Sequence, residues 1–228
     1  MAGRILLVAL MLAAAGCASR MDNSETPARK PVTIEWLGGQ CYRVTSPLGT
    51  VLLTNPPSPR AAERPLPKPL NADVVLVTAE RPDFNHVDAV TSQAAILRGS
   101  VGIGMNCITG IPITGIPIYK DPERPSIDGM SMIYTWTMDG MRFCYAGVPP
   151  GPLDEPTLAR IGLADVVIVH PGGLGSASLE TLLARCGARM VVVPRSASGL
   201  SSPVTPVARL SLRRESLPAT RELVAFNQ

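Results

Sequence analysis

The sequence predicts an α/β fold in which two β-sheets with outer helices form one domain. Three observations carry this. Strand-like segments crowd the first half of the chain, and strands and helices interleave afterwards. "DVVLVTA" (73–79) and "DVVIV" (165–169) are continuous apolar runs, the pattern of strands covered on both faces. The helical patterns are few and short, in "PLDEPTLARIG" (152–162) and "SLETLLARCG" (178–187).

Taken in order, the first element is not fold but address. Met1–Arg4 gives a positive start, "ILLVALMLAAA" is an apolar run, and small residues lead into Cys17. The run is too short to span a bilayer and a polar segment follows it, so residues 1–16 read as a signal peptide. "AAGC" resembles a bacterial lipobox, which makes Cys17 the lipid-bearing first residue of the mature protein. Residues 17–31 are polar and read as a flexible tether, and the domain is expected over 32–228. Ala18 after Cys17 resembles the outer-membrane pattern, which in a Gram-negative cell places the protein on that membrane facing the periplasm. Loss of Arg4 reduces the net charge from +3 to +2. With no basic block and few aromatics, nucleic acid is not an expected partner.

"VTIEWLGGQCYRVTS" (32–46) reads as two strands about a tight Gly38-Gly39 turn, and "TVLLTN" (50–55) as a third strand. Residues 56–69 hold six prolines in fourteen positions and must form a loop. "VDAVTSQAAILRG" (87–99) has helical spacing. "VGIGM", "GIPITGIPIYK" and "MSMIYTWTMDGMRFCYAG" supply further strands, the last a hairpin turning at Asp139-Gly140. Met130, Met132, Met138 and Met141 are expected on its core face. Ser178 is a candidate cap for the second helix, and "MVVVP" (190–194) is a late strand. Cys41, Cys107, Cys144 and Cys186 include no CxxC pair. Export permits two disulfides, but the apolar setting of three of these cysteines favours buried free thiols.

The ordered set "WLGGQCYRVTSPLGTVLLTNP", "ADVVLVTAERPDFNHVDAV", "DGMRFCYAGV", "ADVVIVHPGG" and "ARMVVVP" resembles the metallo-β-lactamase-fold hydrolases, in particular the branch that includes the ascorbate-phosphate lactonases. The resemblance implies a four-layer αββα sandwich of two mixed sheets and outer helices. It also implies a metal site in the cleft between the sheets, built on T-H-x-H-x-D-H. Imidazoles and a carboxylate converging on zinc bring the pKa of bound water to ~7.

Here Thr78 holds the Thr position, and the motif continues with Ala79, Arg81, Asp83 and Phe84. Gly39 replaces the His of W-L-G-H, and Asn55-Pro56 replaces D-P. The H-x-G-D segment falls on Tyr145, Gly147 and Val148, and a late His falls on Ser196. Only Asp83 survives among the ligands. The expectation is a degenerate hydrolase with no metal, no cofactor and no catalytic residues, a lipoprotein that binds an envelope partner or a small anionic ligand. Arg81, Asp83, His86 and His170 are the candidate ligand-binding residues, with Arg81 and Asp83 expected to pair inside the old cleft. The alternative is a phosphoester or lactone hydrolase that uses a reduced or relocated metal site at Asp83, His86 and His170.

Overall fold

The computed structural model describes residues 29–170, 174–194 and 204–226. The leader 1–16, Cys17 and Ser196 lie outside them. The strands are β1 (Val32–Gly38), β2 (Cys41–Thr45), β3 (Val51–Thr54), β4 (Val74–Leu76), β5 (Ala95–Leu97), β6 (Gly104–Ile108) and β7 (Ile111–Ile118), followed by β8 (Ser131–Met138), β9 (Met141–Gly147), β10 (Val166–Val169), β11 (Met190–Val193), β12 (Val204–Val207), β13 (Leu210–Leu212) and β14 (Glu222–Phe226). The helices are α1 (Glu155–Ile161) and α2 (Gly175–Cys186).

Two mixed sheets form, as the sequence predicts. One has six strands in the order β13-β1-β2-β3-β4-β5, and the other eight in the order β12-β14-β11-β10-β9-β8-β7-β6. Each joins antiparallel hairpins to a parallel half: β3, β4 and β5 in the first, β9, β10, β11, β14 and β12 in the second. β1 alternates buried and half-buried residues, while β10 and β11 are buried throughout because α1 and α2 cover their far face.

The core between the sheets holds most of the aromatic residues: Trp36, Tyr42, Tyr134, Trp136, Phe143, Tyr145 and Phe226. The four hairpin methionines join it. Asp139 and Gly140 both adopt positive φ, 52° and 70°, which the tight hairpin requires. α1 starts on Asp154, whose carboxylate accepts from Thr157 N at 2.9 Å.

Two expectations need correction. Residues 87–99 form no α-helix; a single 3-10 turn at Val87–Ala89 leads into β5, because β-branched and apolar residues at 95–97 pair with β4. The outer face of the six-stranded sheet is therefore covered by the proline-rich loop and this turn, through Leu66, Leu70, Val87 and Val90. Ser178 lies inside α2, which begins three residues earlier. β12, β13 and β14 were not legible as strands; "VTPV" contains a proline, tolerable because β12 lies at the sheet edge. Cys41, Cys144 and Cys186 are buried free thiols, and Cys107 is a free thiol exposed on the edge strand β6.

Candidate functional site

Loops from both sheets meet where the parallel strands end. β3 delivers Asn55, β4 delivers Thr78 and Ala79, β9 delivers Tyr145 and Gly147, and β10 delivers His170. The β1–β2 turn adds Gly39 and Gln40. Pairing of Val169 with Gly147 sets His170 one residue past the end of β10, on the same rim.

A closed, neutral hydrogen-bond network fills this junction. Asn55 Nδ2 donates to Thr78 Oγ1 at 2.7 Å and to Tyr145 Oη at 2.7 Å. Asn55 Oδ1 accepts from Thr78 N at 2.8 Å. Tyr145 Oη donates to the Gln40 carbonyl at 2.8 Å, and that carbonyl also accepts from Thr54 Oγ1 at 2.9 Å. Asn55, Thr78, Tyr145 and Gln40 are all buried. Asn55 sits at φ 37°, in the left-handed region that asparagine tolerates better than most side chains. Burial holds the Tyr145 phenol well above its ordinary pKa, so it acts as a neutral donor and acceptor. Gly147 must be glycine: at φ 58° a Cβ would come within 2.9 Å of Thr78 Oγ1.

The residues at the resembled ligand positions do not fit a divalent ion. Gly39, Ala79, Phe84 and Val148 carry no donor side chain. The void beside Ala79, walled by Ile127, Met130 and Met132, is about 10 Å³, room for no more than a single water. Phe84 is buried. Asp83 is held by Arg81, whose Nη2 and Nε reach its two carboxylate oxygens at 2.7 and 3.2 Å. Among the described residues no three His, Cys, Asp or Glu side chains gather as a metal-binding group. Asp83, His86 and His170 are therefore not brought together.

The Arg81–Asp83 pair forms, but not inside the cleft. Its side chains are 58% and 35% exposed, and the guanidinium lies over the Phe84 ring at 4.8 Å. Phe84 takes the buried place because it is apolar; the two charges just before it stay in water. Beside them Glu80 pairs with Arg98 and accepts from Asn85 at 3.1 Å, and the Arg98 bond holds the Glu80 carboxyl below its usual range.

His86 and His170 separate. His86 donates its backbone N–H to the Pro56 carbonyl at 2.8 Å, and its side chain lines a cavity of about 710 Å³ beneath the proline-rich loop. The His170 imidazole is half-buried, with Nδ1 enclosed and unpartnered among the described residues. Burial lowers its pKa, opposed by the Glu63 carboxylate. Tyr42 Oη is likewise buried without a partner among the described residues.

Sequence reasoning missed the role of residues 56–69. Arg64 from this loop bonds the Trp36 carbonyl and stacks over the indole at 4.8 Å, while Trp36 Nε1 donates to the Gly39 carbonyl at 2.8 Å. The loop is thus pinned over the turn where the resembled hydrolases carry a histidine. The signal was present in the adjacent charged residues Glu63-Arg64, set within the proline-rich stretch that begins at the altered Asn55-Pro56 step.

The family model described as "Beta-lactamase superfamily domain" matches residues 33–192. No curated protein matches the chain in sequence. Among solved structures, a Thermotoga maritima protein named as a candidate Zn-dependent hydrolase of the metallo-β-lactamase superfamily superposes with TM-score 0.67 at 19% identity, covering 86% of this chain and 98% of that one. A candidate metal-dependent hydrolase from Parabacteroides distasonis gives 0.54 at 16% identity, covering 75% and 84%. The metallo-β-lactamase-fold protein YhfI from Bacillus subtilis gives 0.51 at 11%, covering 87% and 97%. At these identities the structures speak for the fold alone, and with the family match they establish that the chain belongs to the β-lactamase superfamily and has the metallo-β-lactamase fold.

Proposed function

We propose that this chain is a non-catalytic member of the superfamily, a degenerate relative of the ascorbate-phosphate lactonase-like branch. In this reading it is a lipoprotein anchored through Cys17 at the bacterial envelope, on the outer membrane facing the periplasm if the cell is Gram-negative. Its task there is to bind an envelope partner or a small ligand beside the former cleft. One observation carries the reading: the Gln40–Asn55–Thr78–Tyr145 network closes the junction where the relatives' ligands would converge, and every member of it is neutral. A site built to hold a metal-bound hydroxide needs open coordination positions and room for substrate. This junction offers hydrogen bonds already satisfied within the protein. The cavity under the proline-rich loop supplies the space that a binding role requires.

The competing reading is a phosphoester or lactone hydrolase with a reduced or relocated metal site. The descriptions of the Thermotoga and Parabacteroides proteins as hydrolases favour it; the separation of Asp83, His86 and His170 speaks against it. Elemental analysis of protein purified without chelator decides between them. Well under one equivalent of zinc, iron or manganese is expected, with no turnover of phosphodiester, lactone or β-lactam substrates. Stoichiometric metal that disappears in Asp83→Ala would overturn the reading. Anchoring is tested separately: the wild type should sediment with membranes and take up labelled fatty acid, and Cys17→Ser should do neither.

A further inference from the structure

The cavity under the proline-rich loop has a charge pattern that identifies the chemistry of its occupant. Its origin lies in the sequence. Six prolines within residues 56–69 deny the loop a ladder or a helix, so it arches over the sheet. Residues 87–99, which form no α-helix, leave the opposite wall as a short 3-10 turn. Between the two remains a space of about 710 Å³, within the ~300–1,000 Å³ that encloses small ligands.

Pro57, Leu66 and Leu70 give it apolar walls. Two acids, Glu63 and Asp88, and two bases, Arg64 and Lys68, also line it, so the lining carries both signs and no net charge. Arg64 is committed to the Trp36 carbonyl and ring. Glu63 is exposed, and its charge partly offsets the lowering of the His170 pKa. Asp88 lies in the field of Arg98, but that guanidinium is bonded to Glu80. Lys68, Glu63 and Asp88 are exposed, and none belongs to an ion pair among the described residues. The cavity therefore presents one unpaired ammonium and two unpaired carboxylates on walls that are otherwise largely apolar.

We propose that this cavity binds a zwitterionic ligand with an apolar body, of the class of short peptides with free amino and carboxyl ends. Lys68 holds the carboxylate and Asp88 the ammonium. A purely anionic ligand is disfavoured because the two acids repel it. A neutral apolar one would leave these unpaired charges facing it across the cavity. The rigid proline walls limit the ordering cost of binding. The proposal rests on the non-catalytic binding reading above and gives it a ligand class.

The test is calorimetric titration of the full-length protein with leucyl-leucine, its N-acetyl form and its C-terminal amide. The free dipeptide is expected to bind, and blocking either end should weaken binding by about tenfold or more. Lys68→Ala should erase the discrimination against the amide, and Asp88→Asn the discrimination against the acetyl form. Both positions are exposed, and thermal melts of the two variants establish that each is folded. No heat of binding for the dipeptide at millimolar concentration would overturn the proposal, as would equal binding of all three compounds. Mass spectrometry of the dipeptide after incubation keeps the two readings apart. Selective binding with cleavage sinks the non-catalytic reading and leaves the zwitterion site standing. Neither binding nor cleavage sinks the zwitterion site alone.

Discussion

Tyr145→Phe isolates the hydroxyl at the centre of the closed junction. The ring stays, so the packing between the sheets is retained, including its edge contact with Tyr42 at 6.3 Å between centroids. Two short hydrogen bonds vanish, the one from Asn55 Nδ2 at 2.7 Å and the one to the Gln40 carbonyl at 2.8 Å, together with a longer contact to Gln40 Oε1 at 3.3 Å. Neither partner is left bare, because Asn55 Nδ2 keeps Thr78 Oγ1 and the Gln40 carbonyl keeps Thr54 Oγ1. The cost should therefore fall near that of one or two ordinary buried hydrogen bonds, ~1–3 kcal/mol, not at the full penalty of two orphaned groups. For a domain of this size that lowers the melting temperature by roughly 2–12 °C. Urea titration with unchanged slope and a lower midpoint is the expected reading. A midpoint equal to or above wild type would show that the hydroxyl does not repay its own burial. The network would then be a relic of the former site and not a structural replacement for it. The pH dependence has a defined sign. Burial raises the Tyr145 pKa above its ordinary value near ~10, so this stability is present below that value. It is lost as the pH rises beyond it, where the unfolded chain releases the proton first. Tyr145→Phe should flatten the alkaline limb.

Three further outcomes are expected. Arg81→Ala should cost no more than ~1 kcal/mol, because its pair with Asp83 is solvent-facing, and a melt of both single variants and the double should show weak coupling; a loss well above that would mean that the pair is buried in solution. Thiol titration of native Cys17→Ser protein should modify Cys107 quickly and Cys41, Cys144 and Cys186 only on unfolding, since all three are enclosed and burial raises the Cys41 thiol to about 12 and the Cys186 thiol to about 11. His170 is depressed by burial, so its contribution is present above the ordinary imidazole value near ~6.5 and is lost as the pH falls; denaturation midpoints at mildly acidic and neutral pH should converge more in His170→Gln than in wild type.

Much was legible in the residues themselves. The continuous apolar runs at 74–77 and 166–169, the Asp139-Gly140 hairpin and the two short helices follow from periodicity and turn chemistry, which act over a few neighbouring residues. The absence of donors at Gly39, Ala79, Phe84 and Val148 is a fact of composition at aligned positions and needed no coordinates. Tertiary structure alone decided what replaced them. Asn55, Thr78 and Tyr145 lie far apart in the chain and meet only because the two sheets bring the ends of β3, β4 and β9 to one edge. Whether Arg81 and Asp83 faced the core or solvent was undetermined locally, since an i, i+2 pair forms in either setting; the burial of the adjacent Phe84 left both charges on the solvent side. Residues 87–99 carry helical spacing, yet 95–97 pair with β4, because sheet pairing and burial outweigh a weak local preference. That outcome, together with a loop whose prolines hold it off the sheet, opened the cavity, a feature of two distant segments that neither segment encodes alone.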